Sequence, residues 1–387
     1  MNFNEKINRY HTNSLKFDFK KQRNKPEDVL PMWVADMDFK CPNELIEDMA
    51  KRLEHGIFGY SEINDSYFEA LYNWYLHHLN ISLNKDWLVT TPGVVFALAM
   101  SIRMLTNEND YVLINNPVYH HFAEVILDNN RKVISSDLIN VNGHYEIDFD
   151  DLEQKIKEYH VKLYLLCSPH NPVGRVWTKE ELDKLVNICK KYHVFIVSDE
   201  IHSDFIWEGT HTCIINYKDY LDHIILCTSP SKTFNIAGLQ VSNIFIPNPT
   251  IRKDFQKEID KTGYSSLNIM GIIACESVYR NGEKWFEELK QYIKENIEYT
   301  EDYFKTKIPK IKVIHPEGTY LLWLDFNELK MSDSQIDDLL LYKAKLWLDS
   351  GSKFGINGKG FQRLNVALPR ENLIFALNQL EKILIKQ

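Results

Sequence analysis

Three apolar runs each end in a polar group able to do chemistry. Leu163–Cys167 leads into Ser168-Pro-His-Asn-Pro-Val-Gly174, Val194–Ser198 into Asp199-Glu-Ile-His202, and His223–Cys227 into Thr228-Ser-Pro-Ser-Lys232. Taken singly, each has an ordinary structural use. A lysine at a strand end snorkels to water, Asn171-Pro172 makes a turn, and Asp199 caps a helix. Taken together, Asn171, Asp199 and Lys232 are one amide, one acid and one amine sent to the same place by separate runs. That set suits an electrophilic pyridine. Such a group needs an amine that forms a Schiff base, an acid that keeps the ring nitrogen protonated, and a donor to a ring oxygen.

An anion pocket is readable beside it. Thr90-Thr-Pro-Gly-Val-Val95 opens an apolar helix over Val94–Leu105, so the amides of Val94 and Val95 sit at a helix N-terminus. Ser229 and Ser231 add hydroxyls, and Tyr119 offers a flat ring for stacking. An amine, an acid, a stacking ring and a phosphate cradle in one chain describe a pyridoxal 5'-phosphate site, and no metal is called for. His202, three residues after Asp199, either tunes the ring or is a satisfied core histidine; Arg175 reads as structural.

The elements that must position these groups follow from periodicity. Continuous apolar runs at Tyr111–Ile114, Leu163–Cys167, Val194–Ser198 and His223–Cys227 fit parallel strands buried on both faces. Thr178-Lys-Glu-Glu181 is a capping box, after which Leu182, Leu185, Val186 and Cys189 follow helical spacing. Repeated βαβ units predict a doubly wound α/β sheet, with ligands beyond the carboxyl ends of its strands. A long amphipathic helix over Lys284–Thr306 connects to a smaller α+β part with strands at Ile311–Ile314 and Thr319–Phe326 and helices near Asp333–Asp349 and Arg370–Lys386. At 387 residues, two domains are expected: a large one over 48–283, and a small one formed by 1–47 with 284–387.

Composition narrows the function classes. With 44% hydrophobic and 26% charged residues the chain reads as globular, and a net charge of −9 disfavours nucleic acid as a partner. The six cysteines form no CxxC pair and read as reduced core residues. With no apolar signal region and no run of 18 apolar residues, a cytoplasmic protein without membrane contact is expected.

In order and local strings, the chain resembles the fold-type I pyridoxal-phosphate enzymes of the class I/II aminotransferase superfamily over essentially its whole length. More narrowly, Pro31-Met-Trp-Val-Ala-Asp-Met-Asp-Phe39, Phe58-Gly-Tyr60, Cys167-Ser-Pro-His-Asn-Pro-Val-Gly174 and Ser231-Lys-Thr-Phe-Asn-Ile236 are similar to the cystathionine β-lyase type of carbon–sulfur lyase. That bacterial group includes a maltose-regulon modulator. The resemblance implies a small amino-acid substrate and a set of roles. Lys232 would form the Schiff base and remove the α-proton, Asp199 would pair with the ring nitrogen, Asn171 would bond the ring oxygen, and Tyr119 would stack. Arg363 would hold the substrate carboxylate, with Ala35 of the Pro31–Phe39 string also at the substrate. Tyr60 would reach the phosphate of a neighbouring subunit, which makes a homodimer with shared sites. Many aminotransferases of the superfamily carry an arginine eight positions after the lysine; here that residue is Gln240, which agrees with the lyase branch. Two other uses stay open at this level: an aminotransferase with the same residues around the cofactor, and a regulatory protein that binds a partner.

Overall fold

The computed structural model of the chain describes residues 1–384. Seven strands form one sheet in the order Leu88–Thr91, Ser242–Phe245, Ile224–Thr228, Phe195–Asp199, Leu163–Cys167, Tyr111–Ile114, Lys132–Ser135. Ser242–Phe245 runs antiparallel to both neighbours, and the remaining pairs are parallel. Alternate side chains enter two apolar layers. Leu163 and Leu165 join Val112, Val197 and Ile225 on one face; Tyr164 and Leu166 join Leu113, Ile196 and Leu226 on the other. Burial on both faces is why these strands read as continuous apolar runs rather than alternating ones.

Two strands begin one residue later than the sequence suggests. Val194 precedes the strand Phe195–Asp199, and His223 closes a short turn of 3-10 helix, Leu221–His223, ahead of Ile224–Thr228. Asp199 and Thr228 are therefore the last residues of their strands, held in register by the ladder Cys167–Asp199–Cys227. The capping box is present: Thr178 Oγ1 accepts from the Glu181 amide at 3.2 Å and Glu181 Oε2 accepts from the Thr178 amide at 2.8 Å. The connecting helix runs from Glu283 to Lys307 and buries Trp285, Leu289, Ile293 and Ile297.

A second sheet has the order Lys312–Ile314, Leu321–Asp325, Phe361–Asn365, Asp349–Ser350. The helix expected near Asp333–Asp349 is corrected here. Helical structure spans Asp333–Asp338 and a wider turn Leu339–Ala344, then stops at Lys345, whose φ of +58° is left-handed. The chain then turns into strand. Leu346–Trp347 pairs with Leu30–Pro31, and Asp349 lies opposite Arg363. The C-terminal helix spans Arg370–Leu384; the rest of the expected span, through Lys386, lies outside the described residues.

The pairing at Leu30–Pro31 lays the following segment along the small sheet. Trp33 stacks on Trp347 with ring centroids 4.6 Å apart. Asn365 donates its side-chain amide to the carbonyls of Val34 at 2.7 Å and Asp36 at 2.6 Å. From the large sheet's side, Asn235 accepts from the Met37 amide at 2.9 Å and donates to the Met37 and Phe39 carbonyls. Residues 33–39 are thus pinned between the two sheets. Among the described residues all six cysteines are free, five of them buried, and no helix is long and apolar enough to cross a membrane.

Candidate active site

The carboxyl ends of the parallel strands open onto a cavity of about 200 Å³. Lys232 enters it from the turn after Ile224–Thr228, and its Nζ donates to the main-chain carbonyl of Ala35 at 2.8 Å. Burial lowers the lysine's pKa to about 8, with Asp36 and Asp199 opposing the shift and Arg363 reinforcing it. Part of the amine is therefore unprotonated at neutral pH, which is what a nucleophile and base requires.

Asp199 lines the same cavity from the end of its own strand. Its Oδ1 accepts from the Ile201 amide at 3.1 Å. Burial pushes the carboxyl up to about 7, opposed by the Ile201 hydrogen bond and the nearby Lys232. A carboxyl in this position ionises fully once it faces a cationic N–H. Asn171 and Tyr119 also line the cavity, and burial pushes the Tyr119 phenol up, keeping it neutral. His202 lines it too. Burial, Lys232 and Arg363 hold its imidazole well below its ordinary pKa, and its Nδ1 is buried without a partner.

The other end of the cavity is built for an anion. Gly93 begins the helix Val94–Leu105 with no side-chain cap, so its first amides face the cavity alongside Val94 and Val95. Ser229 Oγ accepts from the Ser231 amide at 3.1 Å and lies 2.7 Å from Ser231 Oγ. Ser242 adds a buried hydroxyl without a partner. An uncapped helix start, clustered hydroxyls, an acid awaiting a cation and a weakly basic lysine fit a phosphorylated pyridine aldehyde, each at the part of the molecule its chemistry suits.

Arg363 stands just behind this lining. Its Nη1 donates to Asn171 Oδ1 at 3.0 Å, and its Nη2 donates to the Trp33 carbonyl at 2.8 Å and to Asp349 Oδ2 at 2.9 Å. Its Nε is buried with no partner. Asp349 also takes Lys353 at 2.8 Å. Tyr60 is not brought into the cavity by its own chain: it is fully exposed, beside Gln240, on a neighbouring hollow that shares Pro92 with the first. Arg175 is spent on the Glu181 and Glu317 carboxylates, away from the cavity.

Sequence reasoning placed Ala35, which lines the cavity, at the site but missed its carbonyl and that of Trp33 as main-chain acceptors. The carbonyls of Trp33 and Ala35 carry no residue-type signature, and only their place inside the Pro31–Phe39 string hinted at them. Asp349 was hidden in a stretch that reads as helix, and Ser242 in an apolar strand.

Comparison with known proteins agrees with this fold. Residues 27–380 match the family model for aminotransferases of class I and II. A cystathionine β-lyase, PatB, from Bacillus subtilis is 39% identical over 99% of this chain and 100% of its own length. The crystal structure of cystalysin from Treponema denticola, which contains pyridoxal 5'-phosphate, superposes with a TM-score of 0.96 at 39% identity, covering 99% of this chain and 98% of that one. A pyridoxal-phosphate-bound C–S lyase from Staphylococcus hominis gives a TM-score of 0.92 at 32% identity, covering 100% and 98%.

Proposed function

The chain belongs to the family of class I and II aminotransferases, and from that premise we propose that it is a carbon–sulfur β-lyase that cleaves L-cystathionine or related cysteine S-conjugates to a thiol, pyruvate and ammonia. Its cofactor is pyridoxal 5'-phosphate. The observation that carries the reading is the placement of a weakly basic Lys232 and a buried Asp199 in one cavity beside an uncapped helix start.

When bound, pyridoxal 5'-phosphate links to the substrate amine and withdraws the electrons left at Cα. The chain supplies the rest. Lys232 would hold the cofactor and, once free of it, would take the α-proton at Nζ. Asp199 would keep a proton on the ring nitrogen, and Asn171 would bond the ring oxygen through its amide nitrogen, since Oδ1 is taken by Arg363. Tyr119, which lines the cavity, would cover one ring face. Arg363 fixes the α-carboxylate and so aims the Cα–H bond at Lys232. General base catalysis at Nζ contributes about 10²–10⁴-fold.

Abstraction of the α-proton starts elimination and transamination alike, and the β-substituent decides between them. A thiolate is a good leaving group. Purified protein given L-cystathionine alone should release pyruvate and thiol in equal amounts over many turnovers, with no 2-oxo acid present. A halt after one equivalent, relieved only by adding a 2-oxo acid, would instead identify an aminotransferase.

The exposure of Tyr60 supports a homodimer in which this residue reaches the partner's phosphate. Mixing Tyr60→Phe subunits with Lys232→Ala subunits should then create hybrids with one intact site, because both lesions fall on the other. Activity above that of both parents, after exchange is verified by mass, is the expected result. Exchange without recovered activity rules out the shared site. The two-domain division at residues 48–283 belongs to the same proposal, with residues 33–39 lying between the sheets.

A further inference from the structure

A cluster of four charged side chains outside the cavity ties the start of the chain to residues 36–38 and has no place in the chemistry so far. Arg9 donates from Nη2 to Asp36 Oδ2 at 2.6 Å, and from Nη1 to Asp36 Oδ1 at 3.2 Å, to Asp38 Oδ1 at 2.7 Å and to the Met37 carbonyl at 3.1 Å. Lys16, with its side chain only 1% exposed, reaches Asp38 at 2.9 Å and Asp36 at 3.4 Å. Lys16 and Asp38 are buried and Arg9 and Asp36 only partly exposed, and charges withdrawn from water to this degree are costly unless their geometry fixes something. What they fix is the segment that meets the site. Its carbonyl at Ala35 receives Lys232, and its carbonyl at Trp33 receives Arg363.

We propose that Arg9 and Lys16 are positioning residues for the reaction: by clamping Asp36 and Asp38 they set the two carbonyls that aim Lys232 and Arg363. The inference rests on Lys232 being the lysine that carries the cofactor. The clamp has a second, electrostatic effect. Among the charged groups facing Lys232, which are Asp36, Arg363 and Asp199, the Asp36 carboxylate has the largest influence and favours the protonated amine. Burial pushes Asp36 itself up, but Lys16, Arg9 and Lys232 together hold it below the usual carboxylate range, so it stays ionised.

Arg9→Gln is the variant to make, because Arg9 is partly exposed whereas removing the buried Lys16 endangers folding. In the holoenzyme, Arg9→Gln should lower kcat/KM by about ten- to hundredfold, the scale of a catalytic group displaced by a remote change. Arg9→Lys should recover part of the loss. The double variant Arg9→Gln/Asp36→Asn should cost less than the sum of the two singles, since the Arg9–Asp36 ion pair is lost in both. In the cofactor-free protein, acylation of Lys232 followed by peptide mass mapping against pH should move to lower pH in Asp36→Asn. A lowered melting temperature with unchanged kcat/KM per folded molecule and an unshifted Lys232 acylation profile would reduce the clamp to a structural role and overturn the proposal. Borohydride reduction of the wild-type holoenzyme separates the two failures. Label absent from Lys232 sinks the functional reading, whereas label on Lys232 with kinetically silent Arg9 variants sinks the clamp alone.

Discussion

Lys232→Ala is expected to abolish turnover and covalent attachment of the cofactor together. Lys232 supplies the only amine in the cavity lining among the described residues, and the nearby Arg363 offers a guanidinium engaged with Asn171 and not an amine. The loss combines the base, about 10²–10⁴-fold alone, with the anchoring bond, so kcat should fall by at least about 10⁴-fold. The variant should still fold. The Ala35 carbonyl that accepts from Nζ also accepts from the Tyr320 hydroxyl at 3.2 Å, so removing the amine leaves no buried acceptor unmet. Pyruvate release and the visible absorbance of the bound cofactor are the two measurements. Full activity with retained colour would refute the assignment of Lys232.

Asp199→Ala separates binding from chemistry. The uncapped helix and serines remain, and so does Lys232, so the cofactor should stay attached while turnover drops by about 10²–10³-fold, the scale of losing one preorganised electrostatic partner. Near-normal rates would contradict the role of the carboxylate. The cofactor-free protein gives an independent check. Burial raises this carboxyl from 3.8 to about 7 in the folded state. The unfolded chain then releases its proton first, so this group costs the fold stability as pH rises from about 4 to about 7. Removing it should erase that part of the pH dependence. At pH 8 the cofactor-free Asp199→Ala protein should therefore melt no lower than wild type relative to their difference at pH 4.

Much of this was legible in the sequence because the informative residues sit where strand geometry forces them. Asn171, Asp199 and Lys232 follow apolar runs, and parallel strands deliver their carboxyl ends to one edge whatever the loops do. The Val94–Leu105 helix and the Thr178 capping box were visible for the same reason: local chemistry determines them. What stayed hidden depends on distant pairing. Residues 333–349 have helical composition, yet Lys345 adopts a left-handed φ and the chain pairs with Leu30–Pro31, contacts more than three hundred residues apart that no local pattern encodes. Arg363 was found by its motif, but its partner Asp349 became visible only through the register of the small sheet. The carbonyls of Trp33 and Ala35 act through backbone atoms that every residue possesses.

The arrangement around Arg363 also sets how many negative charges that corner will accept. Arg363 and Lys353 share Asp349, with contacts of 2.9 and 2.8 Å, so two cations face one anion. One positive charge is left over. A single α-carboxylate held by Arg363 would balance that charge, whereas a second carboxylate on the same carbon would lie next to the buried Asp349 with only the half-exposed Lys353 to offset it. If Arg363 holds the α-carboxylate, the short strand Asp349–Ser350, which looks like no more than an edge of the small sheet, would act as a charge filter, and an amino acid carrying two carboxylates on one carbon should compete for the site more weakly than a monocarboxylate of the same size.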